Sequence, residues 1–375
     1  MTEFRTRPLE AGDEPEFNDA FNRFLNAGAE IPARLPDQMH WIWHRAPGGP
    51  ALSWLVEAQI DGQWKIVGHH GLCPVRFTLG DQDWLCAKTM NSFLFSEFRD
   101  QFLYLRFEQE CLNQADDRFH ASYSIEPGAT RFRSALGYQN LDTWSEFERG
   151  LQPLHFVYRT IAYLAHRYSY HVRGSLLHRL ASITNLPPRK SPLPLLELTP
   201  AQAAASPFFR DFWAEARLTA GMAPSRDPAD LDWRFWSRPS ISPNSPGYST
   251  LTYEWPTGGR AYLIVDTFSN PSFYSLVDFF ITPAQPQRFA QLLDSLFSWA
   301  ASKGALAIAC RIVPRGQPQE LLQVFQQKMR PFPLRHLHAK EMPRRLAPLG
   351  RARGYSELPP WNSTEILMAD RFRFP

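Results

Sequence analysis

The sequence predicts a mixed α/β fold built twice, as two tandem domains that each carry an α+β mixed sheet. Three observations predict it. The chain has 375 residues, 44% of them hydrophobic, enough to bury two separate cores. Its apolar spacing switches repeatedly between a period near two and a period near 3.6, the marks of strands and of amphipathic helices. The order helix, three strands, helix, strand, helix occurs once in each half.

The first half opens with a short strand at Phe4 to Arg7. "DEPEFNDAFNRFLNAG" follows, with Phe17, Phe21, Phe24 and Leu25 at helical spacing and a closing glycine. From Ala51 to Phe95 the period changes. Asp61-Gly62 and Gly80-Asp81 interrupt apolar runs there, which predicts three antiparallel strands joined by tight turns. "NSFLFSEFRDQFLYLRFEQECL" begins as a strand and ends as a helix, with Leu103, Phe107 and Cys111 one turn apart. The strand "FHASYSI", the short helix "GATRFRSALG" and the strand-like "YQNLDTW" complete the half.

Between Leu151 and Leu186 the chain reads as one amphipathic helix, and "NLPPRKSPLPLLELTP" reads as a stiff proline-rich linker. The expected organisation is therefore residues 1–150, a connection at 151–200, and residues 201–375. The second half gives "FFRDFWAEARLTAG" and "LDWRFWSRP", then the strands "YSTLTYEW", "RAYLIVDTF" and "FYSLVDFFI". A helix, the strand "ALAIACRIV" and the helix "PQELLQVFQQKM" close it.

Charge and cysteine content narrow the class. Forty basic residues face 37 acidic ones, a net charge of +3, so total charge does not single out a nucleic-acid binder. No window approaches the roughly 18 apolar residues of a membrane span, and the N-terminus lacks an apolar core run. Cys73, Cys86, Cys111 and Cys310 are widely spaced, which suits reduced core thiols and a cytoplasmic protein with no membrane association.

The element order of the first 150 residues, with "FLFSEFRDQF" and "FRSALGYQNL", resembles the GNAT (Gcn5-related) N-acyltransferase superfamily. The repeated order, the "DWRF" segment and the tail "WNSTEILMADRF" are similar to its two-domain, tandem members. The resemblance implies an acyl-CoA donor, acetyl-CoA or another, held where the sheet splays after the fourth strand. It implies donor contacts at Leu94, Arg99, Asp100 and Gln101. Phe102 and Tyr104 stand where the family's loop carries glycine, so the pyrophosphate loop departs from the usual pattern. The loop "FFITPAQPQRFAQLL" of the second half carries two prolines, which remove N–H donors.

Acyl transfer to an amine needs a base for the ammonium proton and an acid for the departing thiolate. The family's tyrosine position falls on Arg133, and the fourth strand has no carboxylate. Tyr123 and Glu126, at the end of the fifth strand, are the substitutes implied as catalytic residues. The expected acceptor is a small-molecule or peptide amine.

Other motifs give less. His40 and His44 lie four apart, His69 and His70 are adjacent, and "HLH" is at 336 and 338, with no third ligand indicated, so no metal is expected. No nucleophile elbow, P-loop or dinucleotide fingerprint is present. Arg159, Arg167, Arg173 and Arg179 interleave with Tyr163, Tyr168 and Tyr170, and "RRLAPLGRARGY" reads as a basic loop, both of which suit solvated surfaces. Two rival functions keep the same fold: a non-catalytic scaffold that binds a protein partner, and a transferase that uses aminoacyl-tRNA.

Overall fold

The structure, a computed structural model, describes residues 2–26, 36–79, 81–99, 103–115, 119–124, 136, 139–140, 145–152, 155, 191–218, 223–239, 247–267, 273–312, 319–331 and 347–351. Asp100, Gln101, Glu126, nearly all of the expected connecting helix and the expected short helix before Gly137 fall outside the described residues.

The first half runs β1 (Phe4–Pro8), α1 (Glu14–Asn26), α2 (Pro36–His44), β2 (Leu52–Ile60), β3 (Gln63–Leu79), β4 (Gln82–Leu94), α3 (Leu103–Gln114), β5 (Phe119–Ser124), β6 (Gln139–Asn140) and β7 (Ser145–Gly150). The expected hairpin is present between β2 and β3. Asp61 and Gly62 both have positive φ, 52° and 78°, the backbone of a tight two-residue turn that matches strand twist. α2 is an addition to the expected order. It is short, and its Met39, Trp41, Ile42 and Trp43 are all buried, so packing rather than a long apolar period defines it.

The second half repeats the plan. It runs β8 (Leu196–Leu198), α4 (Pro200–Ala205), α5 (Pro207–Ala216), β9 (Ala223–Pro224), α6 (Pro228–Leu231), β10 (Tyr248–Glu254), β11 (Arg260–Asp266), β12 (Phe273–Thr282), α7 (Pro286–Ser302), β13 (Ala307–Ile312), α8 (Gln319–Lys328), β14 (Arg330–Pro331) and β15 (Ala347–Arg351). Thr199 caps α4 and Ser206 caps α5, each with proline at the first helical position, where its missing N–H costs nothing.

Two mixed sheets result. The first has the order β1-β2-β3-β4-β5-β15-β6, and the second β14-β7-β13-β12-β11-β10-β8. In each, one neighbouring pair is parallel, β4 with β5 and β12 with β13. The halves exchange strands: β7 lies in the second sheet, antiparallel to β13, and β15 lies in the first, antiparallel to β5. Hydrogen bonding therefore crosses the boundaries drawn from the sequence. The tail segment expected as a basic loop is strand β15 over Ala347–Arg351. Neither exchanged strand alternates strongly enough to be read locally. "SEFERG" carries one large apolar residue, Phe147, which enters the second core, and "APLGR" carries proline and glycine.

Each sheet buries both faces. In the first, α1 and α2 cover one face through Phe17, Phe21, Trp41 and Trp43, and α3 covers the other through Phe107, Cys111 and Leu112. Gly71 on β3 permits the close seat of Trp43, since a Cβ there would stand 2.3 Å from the indole. The second sheet is covered by α7 and α8 on one face and by α4 and α5 on the other. The four cysteines are free and buried, as expected for core thiols.

The "DWRF" segment joins the halves. It forms a π-helical turn, Asp232–Trp236, and Trp233 stacks on Trp41 in the first-half core at 5.0 Å between centroids. Phe235 and Trp236 turn into the second-half core. Just before it, β9 pairs with the end of β3, and Arg76 of β3 grips Asp230 at 2.6 Å. Among the described residues no helix is long and apolar enough to cross a membrane.

Candidate functional site

β4 and β5 are paired over three positions only, from Cys86↔Phe119 to Lys88↔Ala121. β4 then runs on to Leu94 and β5 to Ser124, while β15 takes the outer edge of β5. The edge of β4 from Thr89 to Leu94 is thus without a strand partner among the described residues, and a wedge opens at the carboxyl ends of the parallel pair. Backbone N–H and C=O groups on such an edge can accept an extended ligand as an added strand.

A bulge lies within the opening. Met90 pairs with Gly71 and Phe93 with His69, so Asn91 and Ser92 together face the single residue His70. Asn91 has φ of 51°, a left-handed conformation that asparagine tolerates better than most residues. Bulges bend a strand and increase its twist, and this one lies just beyond the last β4–β5 pair.

The two adjacent histidines of β3 hold this bulge from opposite faces. His69 Nδ1 donates to the Asn91 carbonyl at 2.9 Å. A carbonyl only accepts, so Nδ1 carries the proton, and Nε2 accepts the hydroxyl hydrogen of Ser53 at 2.5 Å. Burial among Phe17, Trp43 and Phe93 pushes the His69 pKa down to about 3, which keeps the ring neutral. On the other face His70 Nδ1 lies 3.0 Å from the Ser92 hydroxyl.

At the end of β4, Phe95 donates its N–H to Val67 of β3. Across that trans peptide the Leu94 carbonyl points the opposite way, toward the open edge, and accepts Arg99 Nε at 2.8 Å. A 3-10 turn, Ser96–Phe98, brings Arg99 back to the strand end, where its exposed guanidinium lies 5.8 Å from the Phe24 ring centroid. The Leu94 side chain is buried in the core under α3, so only its backbone can meet a ligand. Tyr104 packs against that same core, edge to face with Phe107.

Of the residues singled out from the sequence, Leu94 and Arg99 therefore stand together at the open edge. Tyr123 is on β5 two residues beyond the last pair with β4, at the mouth of the wedge, in register with Pro348. Asp100, Gln101 and Glu126 lie outside the described residues. Sequence reasoning missed Ser53, Asn91 and Ser92, and weighed His69 and His70 only as metal ligands. The one signal was the His-His pair inside a long strand, and its bulge partner lies more than 20 residues away.

The second half has an equivalent opening. β12 is parallel to β13 from Phe273↔Ala307 to Leu276↔Cys310, and Val277 is the extra residue of a bulge against β11. The strand is fixed there by an ion pair rather than a histidine. Asp278 accepts Arg226 Nη2 at 3.0 Å and the Tyr262 hydroxyl at 3.3 Å, with both charged side chains fully buried. Burial pushes the Tyr262 phenol well above its usual range, and the Asp278 charge adds to this. The loop after β12 carries Pro283, and Pro286 is the first residue of α7. Arg288 is committed to the β10–β11 hairpin, donating to Gly258 O at 2.6 Å and to Thr257 Oγ1 at 2.9 Å. This opening has lost N–H donors to proline, and Arg288 is spent on the neighbouring hairpin.

No protein-family model and no curated protein matches the sequence. Solved structures do match the fold. A GCN5-related N-acetyltransferase from Anabaena variabilis superposes with a TM-score of 0.55 at 10% identity, over 93% of this chain and 73% of that one. A tandem GNAT protein from the clavulanic acid biosynthesis pathway gives 0.52 at 13% identity, over 95% of this chain and 100% of that one. The N-myristoyltransferase of Saccharomyces cerevisiae, with bound myristoyl-CoA, gives 0.51 at 10% identity, over 88% and 78%.

Proposed function

We propose, from the premise that this chain has the tandem GNAT fold, that it transfers an acyl group from an acyl-CoA to the amine of a small molecule or peptide, using the opening of its first half. The observation that carries the reading is the separation of β4 from β5 after Lys88 and Ala121, which leaves the Thr89–Leu94 edge open beside Arg99. The N-acyltransferase fold of the neighbours supports the reaction class.

In this reading the pantetheine amides pair with the β4 edge as another strand would. The Arg99 guanidinium holds a phosphate of the donor by charge-assisted hydrogen bonds. The neutral amine attacks the thioester carbonyl, the tetrahedral intermediate collapses, and the C–S bond breaks to give amide and CoA thiolate. Glu126 takes the proton lost by the acceptor ammonium, Tyr123 protonates the departing thiolate, and the second nitrogen proton, released as the amide forms, restores the Tyr123 phenol. His69 stays neutral and serves the site by fixing the bulge.

Release of CoA thiol from acetyl-CoA, followed across a panel of small and peptide amines, tests the proposal. Tyr123→Phe and Glu126→Gln are each expected to lower kcat by about 10²–10⁴-fold. Undiminished turnover in both would remove them from the chemistry, and no turnover with any donor or amine would remove the reaction.

A further inference from the structure

His40 and His44 are one helical turn apart on α2, with ring centroids 4.6 Å apart. The fold brings Glu14, the first residue of α1, against them: its Oε1 lies 2.8 Å from His44 Nε2. One ligand atom from each of the three residues lies within 4.8 Å of the others. The sequence indicated no third ligand because Glu14 stands 26 residues before His40. We propose that Glu14, His40 and His44 form a site for a divalent transition metal of the Zn²⁺ class.

The donor set fits that chemistry. Two imidazole nitrogens and one carboxylate oxygen suit zinc, copper or nickel, and leave a position for water in a four-coordinate ion. Ligand atoms about 2.1 Å from a tetrahedral ion stand about 3.4 Å apart, so the Glu14–His44 contact opens by roughly 0.6 Å while the widest gap closes. Surface side chains can make that adjustment: His44 is 41% exposed and Glu14 29%. A simple ion pair explains Glu14 and His44, at the start of one helix and the end of another, through the helix dipoles. It does not use His40, whose ring stands beside both.

A metal here ties the start of α1 to the end of α2. These helices carry the residues that enclose His69, among them Phe17 and Trp43. Metal binding therefore stabilises the layer that covers the β4 bulge.

The test uses the whole chain, stripped with a chelator and titrated calorimetrically with ZnCl₂, in parallel with His40→Ala, His44→Ala and Glu14→Gln. All three positions are on the surface, and circular dichroism without metal checks that each variant folds. Wild type is expected to bind one equivalent that each histidine variant loses, with Glu14→Gln weakened by about tenfold or more. Zinc should raise Tm in wild type, less in Glu14→Gln and not in the histidine variants, and Co²⁺ should give a tetrahedral visible spectrum that His40→Ala abolishes. Equal stoichiometry and affinity in wild type and all three variants, or no binding by wild type, overturns the proposal.

Discussion

Replacing His69 with alanine is expected to lower the unfolding free energy by about 3–5 kcal/mol, the range for a large buried side chain whose loss also strands polar partners. The ring fills a fully buried place among Phe17, Trp43 and Phe93, and its two nitrogens satisfy the Asn91 carbonyl and the Ser53 hydroxyl. The same residue gives a pH signature. Its folded pKa, about 3, lies below the ordinary value of 6.5, so as pH falls the unfolded chain takes up the proton first. Its stabilisation is fully present above about pH 6.5 and is lost progressively toward pH 3, with a limiting slope of about 1.4 kcal/mol per pH unit. Between pH 7.5 and pH 5 this amounts to about 2 kcal/mol. Urea unfolding of wild type and His69→Gln at both pH values reads it. Wild type should lose about that much more than the variant, and equal losses would mean that His69 is not held neutral.

The second large effect concerns the buried ion pair of the other half. Asp278→Ala leaves the Arg226 guanidinium without its carboxylate, while Arg226 and Asp278 are 1% and 0% exposed. Breaking a pair at such a site costs about 3–5 kcal/mol, because a charge remains buried and uncompensated. Removing both charges should cost far less. The double replacement Arg226→Met with Asp278→Leu is expected to return to within about 1–2 kcal/mol of wild type, since the desolvation of both ions is relieved together. Equilibrium denaturation of the two single variants and the double variant measures this. Additive losses would contradict the picture of a coupled, fully desolvated pair. Arg226 also donates to Pro224 O on β9, the strand that pairs with β3. The pair therefore supports the segment that bridges the halves.

Much of the fold was legible because it rests on local pattern. The Asp61-Gly62 hairpin, the three antiparallel strands of each half, the helices after β4 and β12, and the strand-to-helix turn at Arg99 all follow from turn chemistry and apolar period. What stayed hidden depends on distant partners. Strands β7 and β15 take their place from the edges they complete in the opposite sheet, and "SEFERG" and "APLGR" carry little strand signal of their own. The parallel pair could be expected from the crossover helix, but the length of its pairing could not. Three register pairs followed by a bulge are a tertiary fact.

The site divides in the same way. Leu94 and Arg99 were implied by the family resemblance of the strand-to-helix loop. Their relation was not, because the Leu94 carbonyl turns outward only once Phe95 has paired with β3. The His69-His70 pair was weighed in the sequence only as a metal ligand, and the structure places both rings in the core. Their effect lies in what they hold, a bulge on the neighbouring strand. The prolines of the second-half loop carry no N–H, and the structure adds that Arg288 is spent on the β10–β11 turn.

Calorimetric titration of the whole chain with CoA and acetyl-CoA, repeated on Arg99→Ala, tests the central claim most directly. A donor held on the β4 edge predicts one equivalent bound in the micromolar range, weakened about tenfold by Arg99→Ala through loss of a charge-assisted phosphate contact. No binding of either ligand, two equivalents bound, or affinity indifferent to Arg99 would contradict it.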